Sequence, residues 1–172
     1  MKILIPTQKI GGAVSVALRV VGKKESLPVL SCFLITTKGN DVILRATNLE
    51  SGVEIRLPAR VTEQGVCAVP AAILSQTLRS THHAEVSIEK DDKSISLHAG
   101  GSTTQIHTIP HEEFPTLPIP SDGTRFTIPI KTLCAGIRSV SYAASTSIIR
   151  PEFASIFISH KDGFLVCAAT DS

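Results

Sequence analysis

The sequence VILRATN at residues 42–48 recurs in altered form 123 positions later, as LVCAATD at residues 165–171. The same offset aligns the start of the 172-residue chain with its end without a gap, so that Pro6 meets Pro129 and Pro28 meets Pro151. A constant offset over about 45 residues, with matching apolar periodicity, is typical of a duplicated structural unit. The chain is therefore predicted to contain a repeat.

The second copy of this repeat is short. It ends where the first copy still has residues 50–120 ahead of it. A unit that lacks more than half of its strands buries little of its core. We predict a complete first domain at residues 1–120 and an incomplete second domain at residues 121–172. We also expect the chain either to be part of a longer protein or to need a partner.

Each half of the first unit begins with a strand-like stretch that ends in proline and leads into a helix, at Ile3–Pro6 and again at Val66–Pro70. Proline is tolerated at a helix start because the N–H that it lacks would have no partner there. Three strand-like segments follow each helix: Val29–Thr37, Val42–Thr47 and Val53–Val61, then Ala84–Glu89, Ser94–His98 and Thr103–Ile109. Their alternation of polar and apolar residues indicates antiparallel sheets with one solvated face. The sequence predicts an α+β fold made of duplicated β-α-β-β-β units.

The three predicted helices are amphipathic, and their polar faces carry no Asp or Glu. In the first helix, Ile10, Val14, Ala17 and Val21 form the apolar stripe. The basic residues on or beside the polar faces are Arg19, Lys23, Lys24, Arg79, Lys131 and Arg138. The small residues expected to keep these faces smooth are Gly12, Ser15, Ser75 and Ala135. Such faces favour contact with a polyanion, although ordinary solvated helix faces with few charges also lack acids by chance.

Composition argues against several other classes of protein. A formal net charge of +2 permits a basic face but not a histone-like surface, and one Tyr with no Trp disfavours base stacking. No run of about 18 apolar residues and no signal-peptide pattern is present, so we expect a cytosolic protein without membrane contact. The four cysteines are far apart among apolar neighbours, which favours small buried hydrophobes over disulfides or a zinc site.

Motifs for catalysis are weak. His107 and His111 have the spacing of a zinc-binding pair, but Pro110 between them breaks the helix that such a pair needs. Gly100-Gly101-Ser102 is typical of a hairpin turn and lacks the phosphate-loop pattern, and no serine lies in a GxSxG context. We expect no catalytic residue, no metal and no cofactor.

Several motifs together resemble the N-terminal part of the bacterial sliding clamp family, the beta subunit of DNA polymerase III. They are LPVL at residues 27–30, ATNLE at 46–50, VPA at 69–71, EEFPTLP at 112–118, Arg150-Pro151, and ATD at 169–171. These motifs cover the chain in order, and EEFPTLP resembles the family's end-of-first-domain motif most specifically. The resemblance implies a DNA clamp fold, with antiparallel sheets outside and helices lining the inner face of a ring.

The resemblance also implies a function. Members of the family hold a polymerase on duplex DNA and catalyse nothing, so a processivity factor for DNA polymerase III is expected. The implied partners are double-stranded DNA bound without sequence specificity, the alpha subunit of DNA polymerase III and other polymerases, the clamp loader, and a second copy in a homodimer. Lys24 lies where the family is similarly basic, and the family's layout places Arg150 beside the other DNA-facing residues.

Two protein-binding surfaces follow from the same resemblance. The near wall of the family's pocket for short linear peptides corresponds to Phe153, Thr170 and Asp171. The family usually has Leu at the position of Phe153. The alternative role for Phe153 is packing in the core. The strand 103–109 corresponds to the first-domain edge that pairs with the neighbouring chain, through Thr103, Gln105, Ile106 and His107. A closed ring needs both surfaces of such a contact on every chain, so we expect this chain alone not to form one.

Two alternatives to the clamp remain if the resemblance misleads. The stronger is a β-rich module for ligand binding or scaffolding, without catalysis, and the weaker is a hydrolase. Mutation of Lys24, Lys131 and Arg138 distinguishes them, since a clamp loses DNA retention in a salt-dependent way and a catalyst loses turnover.

Overall fold

The computed structural model describes residues 1–22, 27–118, 126–147 and 149–172. The chain separates into two compact units, Met1–Ile119 and Pro120–Ser172. None of the described helices is long and apolar enough to cross a lipid bilayer.

The first unit contains nine strands and two α-helices among its described residues. Its first half comprises β1 (Lys2–Pro6), α1 (Thr7–Ala17), a 3-10 turn (Pro28–Ser31), β2 (Cys32–Lys38), β3 (Asp41–Thr47), β4 (Gly52–Pro58) and β5 (Arg60–Glu63). Its second half comprises β6 (Val66–Pro70), α2 (Ala71–Arg79), β7 (Glu85–Lys90), β8 (Ser94–Ala99), β9 (Ser102–His107) and a second 3-10 turn (His111–Glu113). The predicted α+β class is confirmed.

The two halves exchange their leading strands. The described pairings are all antiparallel, in one sheet of order β5-β1-β7-β8-β9 and another of order β4-β3-β2-β6. Strand β1 opens the first half but pairs with β7 of the second, with Ile3 opposite Ile88. Strand β6 opens the second half but pairs with β2 of the first, with Phe33 opposite Val69. Neither half can therefore complete its sheet without the other.

A single core joins both sheets to the helices. Helices α1 and α2 pack against each other, and each contacts strands of both sheets. Ile10 and Val14 of α1 and Leu74 of α2 are buried in the same cluster as Ile35 and Ile88 of the two sheets. Helix α1 contains two consecutive glycines, which lower its intrinsic stability by roughly 1 kcal/mol each. Tertiary packing of its apolar face, rather than propensity, therefore holds α1 in place.

Some predicted strand boundaries are wrong. The segment predicted as one strand at Val53–Val61 forms β4 and β5, which belong to different sheets. Pairing with β3 ends at Pro58 because Pro58 lies opposite Asp41, where β3 begins. The next amide, of Ala59, donates to the carbonyl of Asn40 in the preceding turn at 2.9 Å. The predicted strand at Val29–Thr37 begins three residues later, after the 3-10 turn. Strand β9 stops at His107, and Ile109 forms only an isolated bridge with Ala68.

The second unit repeats the opening of the first. Its elements are α3 (Ile130–Ser141), β10 (Phe157–Lys161) and β11 (Phe164–Ala168), which lie where the offset of 123 residues predicts copies of α1, β2 and β3. The two hairpins turn at equivalent positions, between Lys38 and Asp41 and between Lys161 and Phe164. Gly39 and its counterpart Asp162 both have positive φ, of 61° and 51°, which two-residue hairpin turns require.

Equivalent side chains differ in burial between the two units. Ile35 of β2 is fully buried, whereas its counterpart Ile158 of β10 is 47% exposed. Ile43 of β3 is 4% exposed, whereas Val166 of β11 is 46% exposed. Strands β6 and β4 flank the β2–β3 hairpin, but no described strand flanks β10–β11. The expectation that the second unit buries its apolar residues poorly is confirmed.

This contrast predicts unequal effects of the same substitution. Ile35→Ala removes a buried side chain and is expected to lower the free energy of unfolding by about 2–5 kcal/mol. Ile158→Ala, the matched control at the equivalent position, is expected to lower it by about 1 kcal/mol or less. Urea denaturation followed by circular dichroism measures both changes. Equal losses would contradict the burial pattern.

The cysteines divide into two pairs. All four are free thiols; Cys32 and Cys67 are buried as predicted, whereas Cys134 and Cys167 are only half-buried. Burial raises the pKa of the Cys67 thiol from 9.0 to about 12, against smaller opposing effects of Lys90 and the N-terminal ammonium. Burial likewise raises the pKa of Cys32.

The raised pKa of Cys67 predicts a loss of stability in alkali. Above pH 9.0 the unfolded thiol ionises while the folded thiol keeps its proton until about pH 12. The contribution of Cys67 to stability is thus present below pH 9.0 and declines as the pH rises towards 12, by up to about 1.4 kcal/mol per pH unit. Urea unfolding of the wild-type chain and of Cys67→Ala across this range isolates the contribution, because other titrating groups are common to both. Parallel pH profiles would show that Cys67 is not buried in this way.

Candidate nucleic-acid interface

Helix α1 presents a polar face to solvent. Ile10, Ala13, Val14 and Ala17 are buried, which leaves the opposite side free. The exposed residues of α1 are Gln8, Lys9, Gly12, Ser15 and Val16. Arg19 lies in the turn that follows α1 and is also exposed. Lys9 is not among the basic residues predicted from the sequence, although it lies beside Gln8 on the same exposed face. Lys23 and Lys24 lie outside the described residues.

Helix α2 continues this pattern with one correction. Its exposed residues are Ala72, Ile73, Gln76 and Arg79. Ser75 was expected on the outer face but is buried, with 4% of its surface exposed. The buried residues of α2 are Ala71, Leu74, Ser75 and Leu78, so the buried stripe includes Ser75 beside the two leucines that the sequence predicts to point inward. A small hydroxyl side chain fits there beside the core.

Helix α3 carries two basic residues on one exposed face. Lys131 and Arg138 lie seven residues apart, which is about two turns and 10 Å along the axis. Together with Ile130, Cys134 and Ala135 they line a shallow groove of about 360 Å³. Leu133, Ile137 and Val140 are half-buried, as the predicted apolar stripe requires. Lys131 and Arg138 are thus brought together as predicted.

Some basic residues of the strands are paired with acids, whereas none of those on the described helices is. Lys2 pairs with Glu89 at 2.8 Å, and Arg45 pairs with Glu54 at 2.7 Å. The hydrogen bond to Glu89 raises the pKa of Lys2, and the same bond lowers the pKa of Glu89. In contrast, five basic residues on or next to the helices form no ion pair with any residue in the described ranges: Lys9, Arg19, Arg79, Lys131 and Arg138. None of the three described α-helices contains an acidic residue, although the chain has 15.

The helix ends follow the same charge pattern. Pro6, Pro70 and Pro129 cap the three N-termini without a side-chain hydrogen bond, and no acidic residue lies in any first turn. Acidic residues at that position usually stabilise a helix by about 0.3–1 kcal/mol. Arg79 and Arg138 lie in the last turns of α2 and α3, where they complement the helix dipole. The helices therefore lack the negative charge that would repel a phosphate backbone.

Two of the three residues predicted to bind peptides line a second cavity. Phe153 and Asp171 line a cavity of about 350 Å³ together with Arg150. The guanidinium of Arg150 lies 5.6 Å from the centre of the Phe153 ring, which is a cation–π contact. Arg150 is thus placed beside Phe153, although it was predicted among the DNA-facing residues. The hydroxyl of Thr170 donates a hydrogen bond to the carbonyl of Ser172 at 2.8 Å.

The predicted dimer strand lies at the edge of a sheet. Strand β9 pairs with β8 on one side and ends the five-stranded sheet. Thr103, Gln105 and His107 are exposed on it, whereas Ile106 is buried in the core of its own unit. Gln105 donates a hydrogen bond to the hydroxyl of Ser94 at 2.9 Å. The edge offers unpaired backbone N–H and C=O groups to another strand.

The first unit has two antiparallel sheets that exchange strands and share a core with two helices, and the second unit repeats its opening elements. This arrangement is typical of the DNA clamp folds. Comparison with known proteins agrees. Residues 1–118 match the family model described as the N-terminal domain of the DNA polymerase III beta subunit. The chain belongs to this family.

The beta sliding clamp of Staphylococcus epidermidis is 27% identical over 164 residues, which cover 90% of this chain and 44% of that relative. The beta sliding clamp of Streptomyces coelicolor is 25% identical over 171 residues, which cover 99% of this chain and 45% of that relative. The DNA polymerase III beta subunit of Pseudomonas aeruginosa has a solved structure that superposes with a TM-score of 0.93 at 25% identity, covering 99% of this chain and 47% of that one. The chain thus spans less than half the length of these relatives.

Proposed function

We propose that this chain forms the first domain, residues 1–120, and the beginning of the second domain, residues 121–172, of a DNA sliding clamp. The clamp encircles duplex DNA and tethers the replicative DNA polymerase III during chromosome replication in the cytoplasm. The observation that carries this proposal is the absence of acidic residues from all three described helices, together with five basic residues on or beside them that form no ion pair within the described ranges.

Unpaired cations on exposed helices suit contact with phosphates. Each phosphate that a cation neutralises releases bound counterions, and the logarithm of the binding constant falls with the logarithm of salt concentration at a slope of about −0.9 per contact. Such contacts are independent of sequence, because phosphates carry no sequence information. Lys9, Arg19, Arg79, Lys131 and Arg138 are the described residues to which we assign this role, with Lys23 and Lys24 proposed from sequence alone.

The small side chains exposed on the helices suit movement along DNA. Gly12, Ser15 and Ala135 are small and exposed, and they offer few groups that could hold a base edge in the major groove. Retention of a ring on DNA depends on its closed topology rather than on affinity. Weak contacts are therefore sufficient, and the function requires no chemical step by the protein.

Partners bind at two further surfaces in this proposal. The cavity beside Phe153 and Asp171 forms part of the site for short linear peptides of the DNA polymerase III alpha subunit, of other polymerases and of the clamp loader. Thr170 is assigned to the same site from its position next to Asp171. Strand β9 adds to a sheet of a second copy in a head-to-tail homodimer, through the backbone of residues 103–107. The edge position of β9 supports this assignment.

Reversal of charge on α3 tests the DNA-binding role. The double variant Lys131→Glu, Arg138→Glu is expected to weaken binding to a duplex of about 30 base pairs at least tenfold at low salt, and to reduce the log–log salt slope by about 1.8. Fluorescence anisotropy at several salt concentrations measures both quantities.

The matched control is Lys38→Glu, Arg60→Glu, which makes the same change of net charge on exposed strand residues. Its binding is expected to stay within about threefold of the wild type, because the reversed charges lie away from the helix faces. Equal losses in the two double variants would show that net charge alone governs binding, and no loss in the α3 variant would remove α3 from the interface.

A further inference from the structure

The first unit contains a cavity that neither the DNA-facing helices nor the proposed peptide site explains. It measures about 220 Å³ and lies between the loop that joins β3 to β4 and the segment after the second 3-10 turn. Leu49, Glu50, Gly52, Glu54, Leu117 and Pro118 are among its lining residues. This volume is below the range of about 300–1,000 Å³ typical of small-molecule sites and suits one or two side chains of a peptide.

We infer that this cavity is a docking notch for a linear peptide segment that places an aliphatic side chain beside a lysine or arginine. The inference rests on the proposed function in one respect, namely that a clamp recruits its partners through short peptides. It adds a second peptide-binding position, on the first unit, to the one proposed beside Phe153.

The notch and the proposed peptide site of the second unit share one repeat position, that of Leu49 and its counterpart Ser172. The offset of 123 residues aligns Thr47 with Thr170. The hydroxyl of Thr47 accepts a hydrogen bond from the Leu49 amide at 3.0 Å, and the hydroxyl of Thr170 accepts one from the Ser172 amide at 3.3 Å. The hydroxyl of Thr47 also donates to the carbonyl of Ser51 at 2.8 Å. The residue two positions after each threonine is thus held by the same kind of hydrogen bond.

The floor of the notch already accommodates a leucine side chain. Leu117 packs over Gly52 so closely that a Cβ atom at position 52 would lie 2.9 Å from its Cδ2. Phe114, which is buried against Val29 and Ala68, anchors the segment that carries Leu117. The remaining space lies next to Leu117, so a second aliphatic side chain there would contact apolar atoms on that side.

Leu49 forms the other apolar wall at an energetic cost. Its φ of 73° lies in the left-handed region, which is unfavourable for a non-glycine residue by about 1 kcal/mol. Its side chain is 62% exposed and so contributes little to the core. The loop is held by hydrogen bonds from the Glu50 and Ser51 amides to the side-chain oxygen of Asn48, at 3.1 and 2.7 Å. An exposed leucine in an unfavourable conformation points to a contact with a ligand rather than a role in folding.

The negative charge at the notch favours a positively charged residue next to the aliphatic residue of the bound peptide. Glu50 is exposed and forms no ion pair with any residue that the structure describes. Glu54 is engaged by Arg45 at 2.7 Å. The free carboxylate at the rim therefore favours a peptide with a cation next to its aliphatic side chain.

A short peptide based on the chain's own segment is a suitable probe. Acetyl-Lys-Pro-Thr-Leu-Pro-amide repeats the sequence PTLP of residues 115–118 with an added lysine. Titration into the 15N-labelled 172-residue chain, up to about 10 mM, is expected to give saturable NMR shifts at the amides of Leu49, Ser51 and Gly52. Absence of saturable shifts at these amides would overturn the proposal. So would equal binding of the peptide with Ala in place of Leu, because the contact would then be electrostatic only.

Leu49→Asn is the decisive variant. Asn tolerates positive φ, so the melting temperature is expected to stay the same or rise, while affinity for the peptide falls at least about fivefold through loss of the apolar contact. Leu27→Asn, which changes another exposed leucine of the same unit, is the matched control and is expected to bind as the wild type does. Undiminished binding by Leu49→Asn would overturn the proposal.

Duplex DNA binding by Leu49→Asn separates this inference from the proposed function. The loop lies outside the helices, so DNA binding is expected to be unchanged when peptide binding is lost. A failure of the notch would leave the DNA result intact, and a failure of the helix faces to bind DNA would be seen in the wild-type chain without any peptide.

Discussion

The exchange of leading strands is the constraint on which the first unit depends. Because β1 completes the sheet of β7, β8 and β9, and β6 completes the sheet of β2, β3 and β4, the two halves share one core. Helices α1 and α2 each follow an exchanged strand directly, after Pro6 and Pro70. Each helix is therefore held between the two sheets by its apolar face, and its polar face remains in solvent. The exposed helix surface is a consequence of the strand pairing.

Charge is distributed over this framework in a way that ordinary solubility does not require. Carboxylates pair with three basic residues of the described strands, in Lys2–Glu89, Arg45–Glu54 and Arg56–Asp41, whereas all the acidic residues lie outside the three described helices. The helices omit carboxylates even at their first turns, where these would add stability. The helices forgo this stabilisation and keep a positive surface, which a site for a polyanion needs. The same pattern is present on α3 of the second unit, whose sequence differs from those of α1 and α2.

Much of this could be predicted from the sequence, because the features involved are local. The helix stripes and the turn at Gly39 depend on residues near each other in the chain, whereas the repeat is visible as a constant offset of 123 positions. Strand exchange joins segments more than 30 residues apart, and hydrophobic alternation does not specify which strands pair. The break at Pro58 and the burial of Ser75 depend on neighbouring elements in the same way. The notch at Leu49 was not foreseen, since neither its positive φ nor the position of Leu117 leaves a signal in residue order.

The central claim is that the outer faces of the helices are the surface that meets DNA. The most direct test is a titration of the 15N-labelled chain with duplex DNA, followed by NMR residue by residue. We expect shifts to concentrate at exposed helix residues such as Gly12, Gln76 and Ala135, and added salt to reverse them. Shifts confined to exposed residues of the strands, such as Glu54 or Arg56 of β4, with the helices unaffected, would contradict it.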